Sequence, residues 1–465
     1  MEILAPAIPD SAAEPRSSRL ALLALTALGV VYGDIGTSPL YAIHECFYGE
    51  HGVAVNRENV LGVMSLIVWT LILVVTLKYH VYVLRADNRG EGGILALMAL
   101  VRAKVGGHWR HWLVVIGLFG AALLYADGVL TPAISVLGAV EGLAVVAPAF
   151  AKLVVPASAV ILVGLFLFQR RGTAGVGAVF GPVMLVWFST LAVLGVSGIL
   201  RDPSVLTAIN PIHAVRFLAH GGAGSFLVLG AVFLVATGGE ALYADLGHFG
   251  ERPIQIDWFC LVGLSLTLNY FGQCALVLTE PSAAVNPFYL LAPEWARLPL
   301  LVLATMAAII ASQAIISGSF SLTRQAVQLG YLPRIEIIHT SATEIGQIYI
   351  PAVNWLLGVA TIGVVLAFES SSHVASAYGV ALTTTMVITT LLASLAARKI
   401  WGWPAWLAAI VTIVFLIPDS SFFGAAMLKI PDGGWFPLVV AIAILLLMTS
   451  WEKGREVLGT VIGVR

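Results

Sequence analysis

The chain has 465 residues, of which 59% are hydrophobic and 11% are charged, and its formal net charge at pH 7 is −1. A soluble domain carries roughly 25% charged residues, so this composition argues against a soluble enzyme and against a disordered chain. The near-neutral charge gives no sign of a nucleic-acid partner. The three cysteines are widely spaced and match neither a disulfide framework nor a CxxC metal pattern. The sequence therefore predicts a polytopic membrane protein.

About twelve apolar runs are long enough to cross a bilayer, which requires about 20 mainly apolar residues per helix. The first nineteen residues lack the charged-then-apolar order of a cleaved signal peptide, so we expect them to form a cytoplasmic tail. The predicted spans are residues 20–44, 60–84, 112–141, 152–169, 175–200, 224–247, 258–279, 298–322, 350–368, 373–396, 402–423 and 436–451.

The positions of Lys and Arg predict the orientation in the membrane. With the N-terminus in the cytoplasm, seventeen of the 24 Lys and Arg residues lie in inner loops and six in outer loops, while Lys78 lies near the inner end of the second span. Inner loops of membrane proteins carry an excess of positive charge. We therefore expect a multi-pass protein of the cell (plasma) membrane with both termini in the cytoplasm.

The first span contains the run GDIGTSP at residues 33–39. Two glycines, an acid and a proline within seven residues should break a helix. Inside a membrane, broken backbone is tolerated only where protein or a water-filled cavity satisfies its polar groups. The run therefore predicts a site in the protein interior around Asp34, with Tyr41 one turn or two beyond it.

The third span places Asp127, Thr131 and Ser135 at i, i+4 and i+8, so they share one face of the helix. Pro132 has no backbone N–H, which leaves the carbonyl of Gly128 without its helical partner. Carboxylate, hydroxyl and carbonyl oxygens are ligands that suit alkali cations. This face is a candidate cation-binding surface.

The sixth span repeats the pattern of the first in the run TGGEALYAD at residues 237–245. The two spans open two successive sets of five, and interrupted helices at corresponding positions predict a transporter site at an inverted-repeat interface. We therefore divide the chain into a tail (1–19), a first five-helix repeat (20–200), a second five-helix repeat (201–397), and the last two helices with a short cytoplasmic C-terminus (398–465).

The tenth span is rich in hydroxyl groups, with Ser376, Tyr378 and Thr383. Structural roles are the alternatives: Ser and Thr on spanning helices commonly bond their own or a neighbouring helix. Tyr41 and Tyr378 would alternatively belong to the aromatic belt at the membrane interface.

Five acids fall inside the predicted spans, where each ionised group costs at least about 2.5–3.5 kcal/mol: Asp34, Asp127, Glu141, Glu240 and Asp245. No Lys or Arg is expected at comparable depth, so we expect these acids to be protonated or paired with a bound cation. The alternatives are a solvated Glu141, an Asp245 that caps or pairs at its helix end, and internally hydrogen-bonded carboxylic acids at the other three. Unpaired acids beside broken helices indicate a cation pathway.

Four ordered motifs carry a resemblance to a known family: GVVYGDIGTSPLY at residues 29–41, LRADNRGEGG at 84–93, DGVLTPAISVL at 127–137 and GEALYADLGHFG at 239–250. They resemble the KUP/HAK/KT potassium uptake transporters over essentially the whole chain. The resemblance implies an all-α membrane protein of the amino acid–polyamine–organocation superfamily, with about twelve transmembrane helices as a LeuT-like 5+5 inverted repeat plus two further helices.

The same resemblance implies potassium import coupled to protons, by alternating access at a site beside broken helices 1 and 6. Many members carry Glu where this chain has Asp127, whose carboxylate is set back by one methylene. The implied proton-coupling residues are Asp34, Asp127 and Glu240. The implied potassium-binding residues are Asp34, Tyr41, Thr131, Ser135, Thr237 and Tyr378, with the ion itself at the first five.

The expected partners are the potassium ion, the proton and membrane lipid, with a second copy of the chain as a candidate in a homodimer. No cofactor, nucleic acid or enzymatic activity is expected. One alternative is a permease of the same fold for cationic polyamines or amino acids, although Asp34 would repel an amino-acid carboxylate. A remote alternative is an intramembrane aspartyl protease using Asp34 and Asp127, but the first glycine of a GxGD motif is missing. A potassium channel is disfavoured because no TVGYG-like filter appears.

Overall fold

The computed structural model describes residues 16–88, 90–171, 174–340 and 348–462. Within these residues, 11 helices are long and apolar enough to cross a membrane, and a bent pair makes a twelfth span. The prediction of about twelve spans is confirmed, although the first helix already begins at Arg16. The spans, numbered 1 to 12 in chain order, are Leu20–Val30 with Gly33–Leu40, Arg57–Arg85, Trp109–Val146, Pro148–Phe168, Val179–Ile199, Gly222–Ala244, Glu251–Thr279, Glu294–Gln328, Pro351–Phe368, Ser371–Lys399, Ala405–Met427 and Ile430–Val461.

Short helices and one pair of strands lie between the spans. The strands are antiparallel, with Ile338 opposite Tyr349. The short helices are Ala42–Phe47, Ile94–Arg102, Pro203–Ile209, Ile212–His220, Leu246–Phe249, Pro281–Val285 and Pro287–Leu291, and the strands are Ile338–His339 and Ile348–Tyr349.

Span 1 is broken where the sequence predicts it. Its two halves, Leu20–Val30 and Gly33–Leu40, are bent by 58°. A Cβ on Gly33 would lie 2.7 Å from the Cα of Ala311 in span 8, so only glycine allows this approach. The break is therefore packed against the protein interior rather than against lipid.

Span 6 is broken at Gly238, which adopts the left-handed conformation with φ of +83°. A Cβ at this glycine would lie 2.9 Å from the backbone nitrogen of Ile35. A side chain here would therefore be strained and would collide with span 1. The two breaks thus touch each other, and they bring Asp34 and the helix that starts at Gly239 to one place.

The interior of the molecule is built mainly from spans 3, 6 and 10. In their most apolar windows, 78%, 83% and 72% of the residues are buried, against 28%, 22% and 28% in spans 4, 11 and 12. Spans 4, 11 and 12 therefore present most of their apolar surface outward, as lipid-facing helices do. The polar positions of spans 1, 3, 6 and 10 converge at the centre.

Candidate functional site

Asp34 lies in the broken part of span 1 and is buried at 2% exposure. Its Oδ2 accepts a hydrogen bond of 3.2 Å from the hydroxyl of Tyr378 in span 10. The Thr131 hydroxyl of span 3 lies 2.9 Å from that Tyr378 hydroxyl and 2.6 Å from Oδ1 of Asp127. Four residues predicted from the sequence thus form one continuous row of oxygen atoms, from Asp127 through Thr131 and Tyr378 to Asp34.

Two further hydroxyl pairs hold the break of span 1 against its neighbours. The Thr37 hydroxyl lies 3.3 Å from that of Ser135 in span 3, and the Ser38 hydroxyl lies 2.6 Å from that of Thr237 in span 6. Three predicted spans are therefore joined through side-chain oxygens around Asp34.

Two buried oxygens at this site have no hydrogen-bond partner among the described residues: Oδ1 of Asp34 and the hydroxyl of Tyr41. Buried polar atoms are nearly always satisfied. These two unsatisfied oxygens, together with the hydroxyls of the pairs Thr37–Ser135 and Ser38–Thr237, form a donor set suited to a dehydrated alkali cation. The residues present therefore fit a bound cation.

A small cavity of about 50 Å³ extends from this site and is lined by four of the five predicted acids: Asp34, Asp127, Glu240 and Asp245. Its other walls come largely from span 8, from Ala314 to Gln325. Asp245 also lies 3.7 Å from the imidazole of His248. The structure therefore gathers the acids of spans 1 and 3 and of the end of span 6 along one cavity whose remaining walls are mainly apolar.

Glu141, the fifth predicted acid, does not reach this cavity. Its carboxylate accepts hydrogen bonds from the backbone nitrogen (2.8 Å) and the hydroxyl (2.6 Å) of Ser371, at the start of span 10. Glu141 therefore joins spans 3 and 10 at the predicted outer side.

Glu240 is held in the short helix after the break of span 6, at 2% exposure. Its Oε1 accepts a hydrogen bond of 2.6 Å from the Tyr79 hydroxyl of span 2, and its Oε2 accepts one of 3.0 Å from the Thr389 hydroxyl of span 10. Both oxygens are thus satisfied by neutral hydroxyl donors. The buried Lys78 also acts on this carboxyl group, although its ammonium group is bonded to Asp419.

The expectation that no basic residue lies at the depth of the acids is wrong. Lys78 is fully buried, and its Nζ lies 2.6 Å from Oδ2 of Asp419, which is also fully buried. The Thr390 hydroxyl donates to the same oxygen at 2.6 Å. The predicted span 60–84 placed Lys78 near its inner end, and the partner, 341 residues away, could not be identified from the sequence.

Asp419 was missed, although an acid inside the apolar run FLIPDSSFF at residues 415–423 was a usable signal. The buried Asp257 of span 7 was missed in the same way. Within the described part of the chain, no Lys or Arg nitrogen forms an ion pair with Asp34, Asp127 or Glu240. Within that part, these three acids therefore lack the ion-pair partner that Lys78 gives to Asp419.

The structure also separates the structural alternatives for the hydroxyl residues. Tyr41 and Tyr378 are buried at 1% and 0% exposure, so neither belongs to an interfacial belt. The Thr383 hydroxyl donates to the carbonyl of Gly379 in its own helix, which is the structural role. Thr131, by contrast, contacts side chains of the site.

A family model described as the K+ potassium transporter integral membrane domain matches residues 21–456. A probable potassium transport system protein Kup of Anaeromyxobacter dehalogenans (strain 2CP-C) is 60% identical over 452 residues, which cover 97% of this chain and 68% of that protein. The protein of the same description from Myxococcus xanthus is 59% identical over 444 residues, covering 95% of this chain and 68% of that protein.

Among solved structures, a mutant of the Eremococcus coleocola manganese transporter is similar, with a TM-score of 0.51 and 14% identity over 94% of this chain and 95% of that one. At this identity the similarity concerns the fold, and it confirms the predicted LeuT-like all-α architecture. Because the family model covers nearly all of the described residues and the relatives are so similar, the chain belongs to the K+ potassium transporter family.

Proposed function

We propose that this chain imports potassium ions together with protons across the cell membrane by alternating access, with the cation beside the breaks of spans 1 and 6. Family membership supports potassium as the cargo and a transporter rather than an enzyme. Proton coupling is carried by one observation, the row of oxygens that joins Asp127 to Asp34.

The row has three oxygen–oxygen contacts but only two hydroxyl protons, those of Thr131 and Tyr378. Each contact needs one proton, because a hydroxyl donates once and an ionised carboxylate only accepts. The third proton must come from a carboxyl group at one end of the row. The geometry therefore calls for one proton shared between Asp34 and Asp127, as expected for two acids without a basic partner.

Reversing the two hydroxyls would move the donated proton from one end of the row to the other. With the proton on Asp127, both hydroxyls donate toward Asp34, which is then ionised and attractive to a cation. With the proton on Asp34, the hydroxyls point toward Asp127 and the cation site loses its negative charge. Cation binding at Asp34 and the position of the proton are therefore linked.

In this mechanism a dehydrated potassium ion contacts the unsatisfied oxygens of Asp34 and Tyr41. Hydroxyls of Thr131, Ser135 and Thr237 replace more of its water. Tyr378 orients the carboxylate of Asp34. Rocking of one helix bundle against the other then exposes the site to the opposite side.

Glu240 lies on the same cavity and is a second proton carrier. Its hydrogen bonds to Tyr79 and Thr389 connect its protonation to spans 2 and 10, which lie outside the broken helices. A change of charge at Glu240 therefore alters the contacts between the short helix of span 6 and these two spans.

The test is rubidium uptake into proteoliposomes under an imposed inward proton gradient, with simultaneous recording of internal pH. Asp34→Asn is expected to abolish uptake, and Glu240→Gln to reduce the acidification of the lumen that accompanies uptake. Asp202→Asn, at a half-buried acid in the loop after span 5, is the control and should match the unaltered protein. Normal proton-coupled flux in both site variants would show that the assigned roles are wrong.

Competition by spermidine against rubidium separates potassium import from polyamine import. We expect excess unlabelled potassium to suppress rubidium uptake, and spermidine to leave it unchanged. Suppression by spermidine alone would favour the permease.

A further inference from the structure

We propose that Glu50, His51 and Asp432 form a binding site for a divalent transition-metal ion such as Zn²⁺ on the predicted outer side of the protein. One ligand atom from each of these residues lies within 4.8 Å of the other two. The site is separate from the cavity that holds Asp34 and Glu240, and metal binding there does not rest on the proposed function.

The donor set decides the class of metal. His51 Nε2 lies 2.9 Å from Oδ2 of Asp432, and both side chains are 26% exposed. An imidazole with two carboxylates suits Zn²⁺ and its transition-metal neighbours, whereas Ca²⁺ and Mg²⁺ prefer oxygen ligands alone. With zinc–ligand bonds of about 2.0–2.2 Å, ligand atoms of a tetrahedral site lie about 3.3–3.6 Å apart. His51 and Asp432 therefore exchange their 2.9 Å hydrogen bond for the metal and separate slightly, while rotation of the exposed Glu50 side chain brings its carboxylate closer.

The three candidate ligands lie in two chain segments, one with Glu50 and His51 and one with Asp432, and backbone hydrogen bonds order each segment. After the helix Ala42–Phe47, the Val53 nitrogen donates to the carbonyl of Cys46 at 3.0 Å. On the other side, the Asp432 nitrogen donates to the carbonyl of Lys429 at 3.1 Å. Gly433 follows with φ of +118°, a conformation that turns the chain sharply beside the ligand. A metal ion would therefore join two backbone segments that are already ordered.

Lys429 is a nearby cation, on which the carboxylate of Glu45 acts most strongly, ahead of those of Asp432 and Glu50. Its ammonium group donates to the carbonyl of Gly230 at 3.1 Å and is held in the interior by that bond. Because this ammonium group is shared with Glu45, it offsets only part of the charge of Glu50 and Asp432, and the remaining negative charge favours a bound cation.

The position of the site predicts its consequence. Glu50 and His51 follow span 1, whose break forms the proposed cation site, whereas Asp432 lies in the kinked first turn of span 12, outside the two five-helix repeats. If span 1 moves during the transport cycle, as the proposed function requires, a metal ion across this gap would resist that motion. Zn²⁺ added on the outer side of the membrane is therefore expected to inhibit rubidium uptake.

Binding is tested with metal-free, purified full-length protein in detergent, by isothermal titration with ZnCl₂. We expect one zinc ion per chain, with the affinity lowered by about tenfold or more in His51→Ala, since even residues that only orient a metal ligand change affinity about 10–100-fold. Asp432→Asn should show a similar loss. The matched control is His220→Ala on the outer helix Ile212–His220, where Nδ1 of His220 lies 3.0 Å from the carbonyl of Arg216.

Equal zinc affinity in His51→Ala, Asp432→Asn and the unaltered protein would overturn the site, as would an affinity loss in His220→Ala as large as in His51→Ala. Inhibition is tested separately by adding ZnCl₂ outside proteoliposomes during rubidium uptake. Inhibition that disappears in His51→Ala supports the proposal, and zinc binding without inhibition overturns the link to span 1. Failure of the proposed function would appear differently, as absent rubidium uptake without zinc.

Discussion

Lys78 and Asp419 form an ion pair inside the membrane domain, with 2.6 Å between Nζ and Oδ2 and no exposure of either side chain. The pair joins spans 2 and 11, and Lys78 also donates to the carbonyl of Met386 in span 10. Tyr79, the next residue along the chain, is the hydrogen-bond donor to Glu240. The buried pair thus fixes the helix that positions one of the proposed proton carriers.

Removing one partner of this pair should destabilise the protein more than removing both. Lys78→Met or Asp419→Leu alone leaves a buried charge without a partner, which costs about 3–5 kcal/mol, whereas replacing both partners by apolar residues is often nearly neutral. Thermal unfolding in detergent is the measurement. A double variant that is no more stable than either single variant would contradict this account.

The contact between the two broken helices depends on Gly238. Gly238→Ala adds a methyl group at a position with φ of +83°, a left-handed conformation that costs an alanine about 1–2 kcal/mol. The new Cβ would also lie 2.9 Å from the backbone nitrogen of Ile35. We expect a strong loss of rubidium uptake because Asp34 is displaced. Gly164→Ala in span 4 is the control, since a Cβ there meets no atom within 4 Å. Equal uptake in both variants would refute the role of this contact.

The Tyr79 hydroxyl should control Glu240 beyond its contribution to stability. Tyr79→Phe removes the hydroxyl that donates to Glu240 at 2.6 Å. The ionised form of Glu240 loses more stabilisation by this change than the protonated form does. The pH midpoint of rubidium uptake should therefore move toward higher pH.

Tyr289→Phe is the matched control, because Tyr289 is equally buried and donates to the carbonyl of Ala139 at 2.7 Å. Both variants should lose about 1–3 kcal/mol of stability, but only Tyr79→Phe should shift the midpoint. Identical pH profiles in the two variants would show that Tyr79 is merely structural.

Contacts at the predicted outer side should hold that side closed. Ser371 donates to Glu141, Ser372 donates to Glu45, and Nδ1 of His44 lies 2.7 Å from the carbonyl of Val285. Ser371→Ala removes one hydrogen bond to Glu141, worth about 1 kcal/mol. The state that is open at the outer side should therefore become about fivefold more populated.

Cys46 is a native reporter of that opening, because it is buried in the helix that carries Glu45. In a Cys260→Ser background, which removes the exposed thiol, a membrane-impermeant maleimide should label Ser371→Ala about fivefold faster than its parent. A further Cys46→Ser substitution should abolish the added labelling. An unchanged labelling rate would show that the Ser371–Glu141 contact does not close this side.

Local patterns in the sequence were sufficient for the spans, the two helix breaks and the acids of spans 1, 3 and 6. Span length follows from hydropathy against a fixed membrane thickness, and a break follows from the backbone of Gly and Pro. The i, i+4 spacing of Asp127 and Thr131 predicted that they share one face of the helix, which depends only on the geometry of one helix, and the structure shows them hydrogen-bonded.

The choice of partner between distant segments was decided only by the tertiary structure. Lys78 meets Asp419 across 341 residues, Asp34 meets Tyr378 across 344, and His51 meets Asp432 across 381. No periodicity within a helix specifies such pairs, since they depend on which faces of separate helices pack together. For this reason the sequence identified the charges inside the membrane domain but could not show which of them are neutralised by a neighbour.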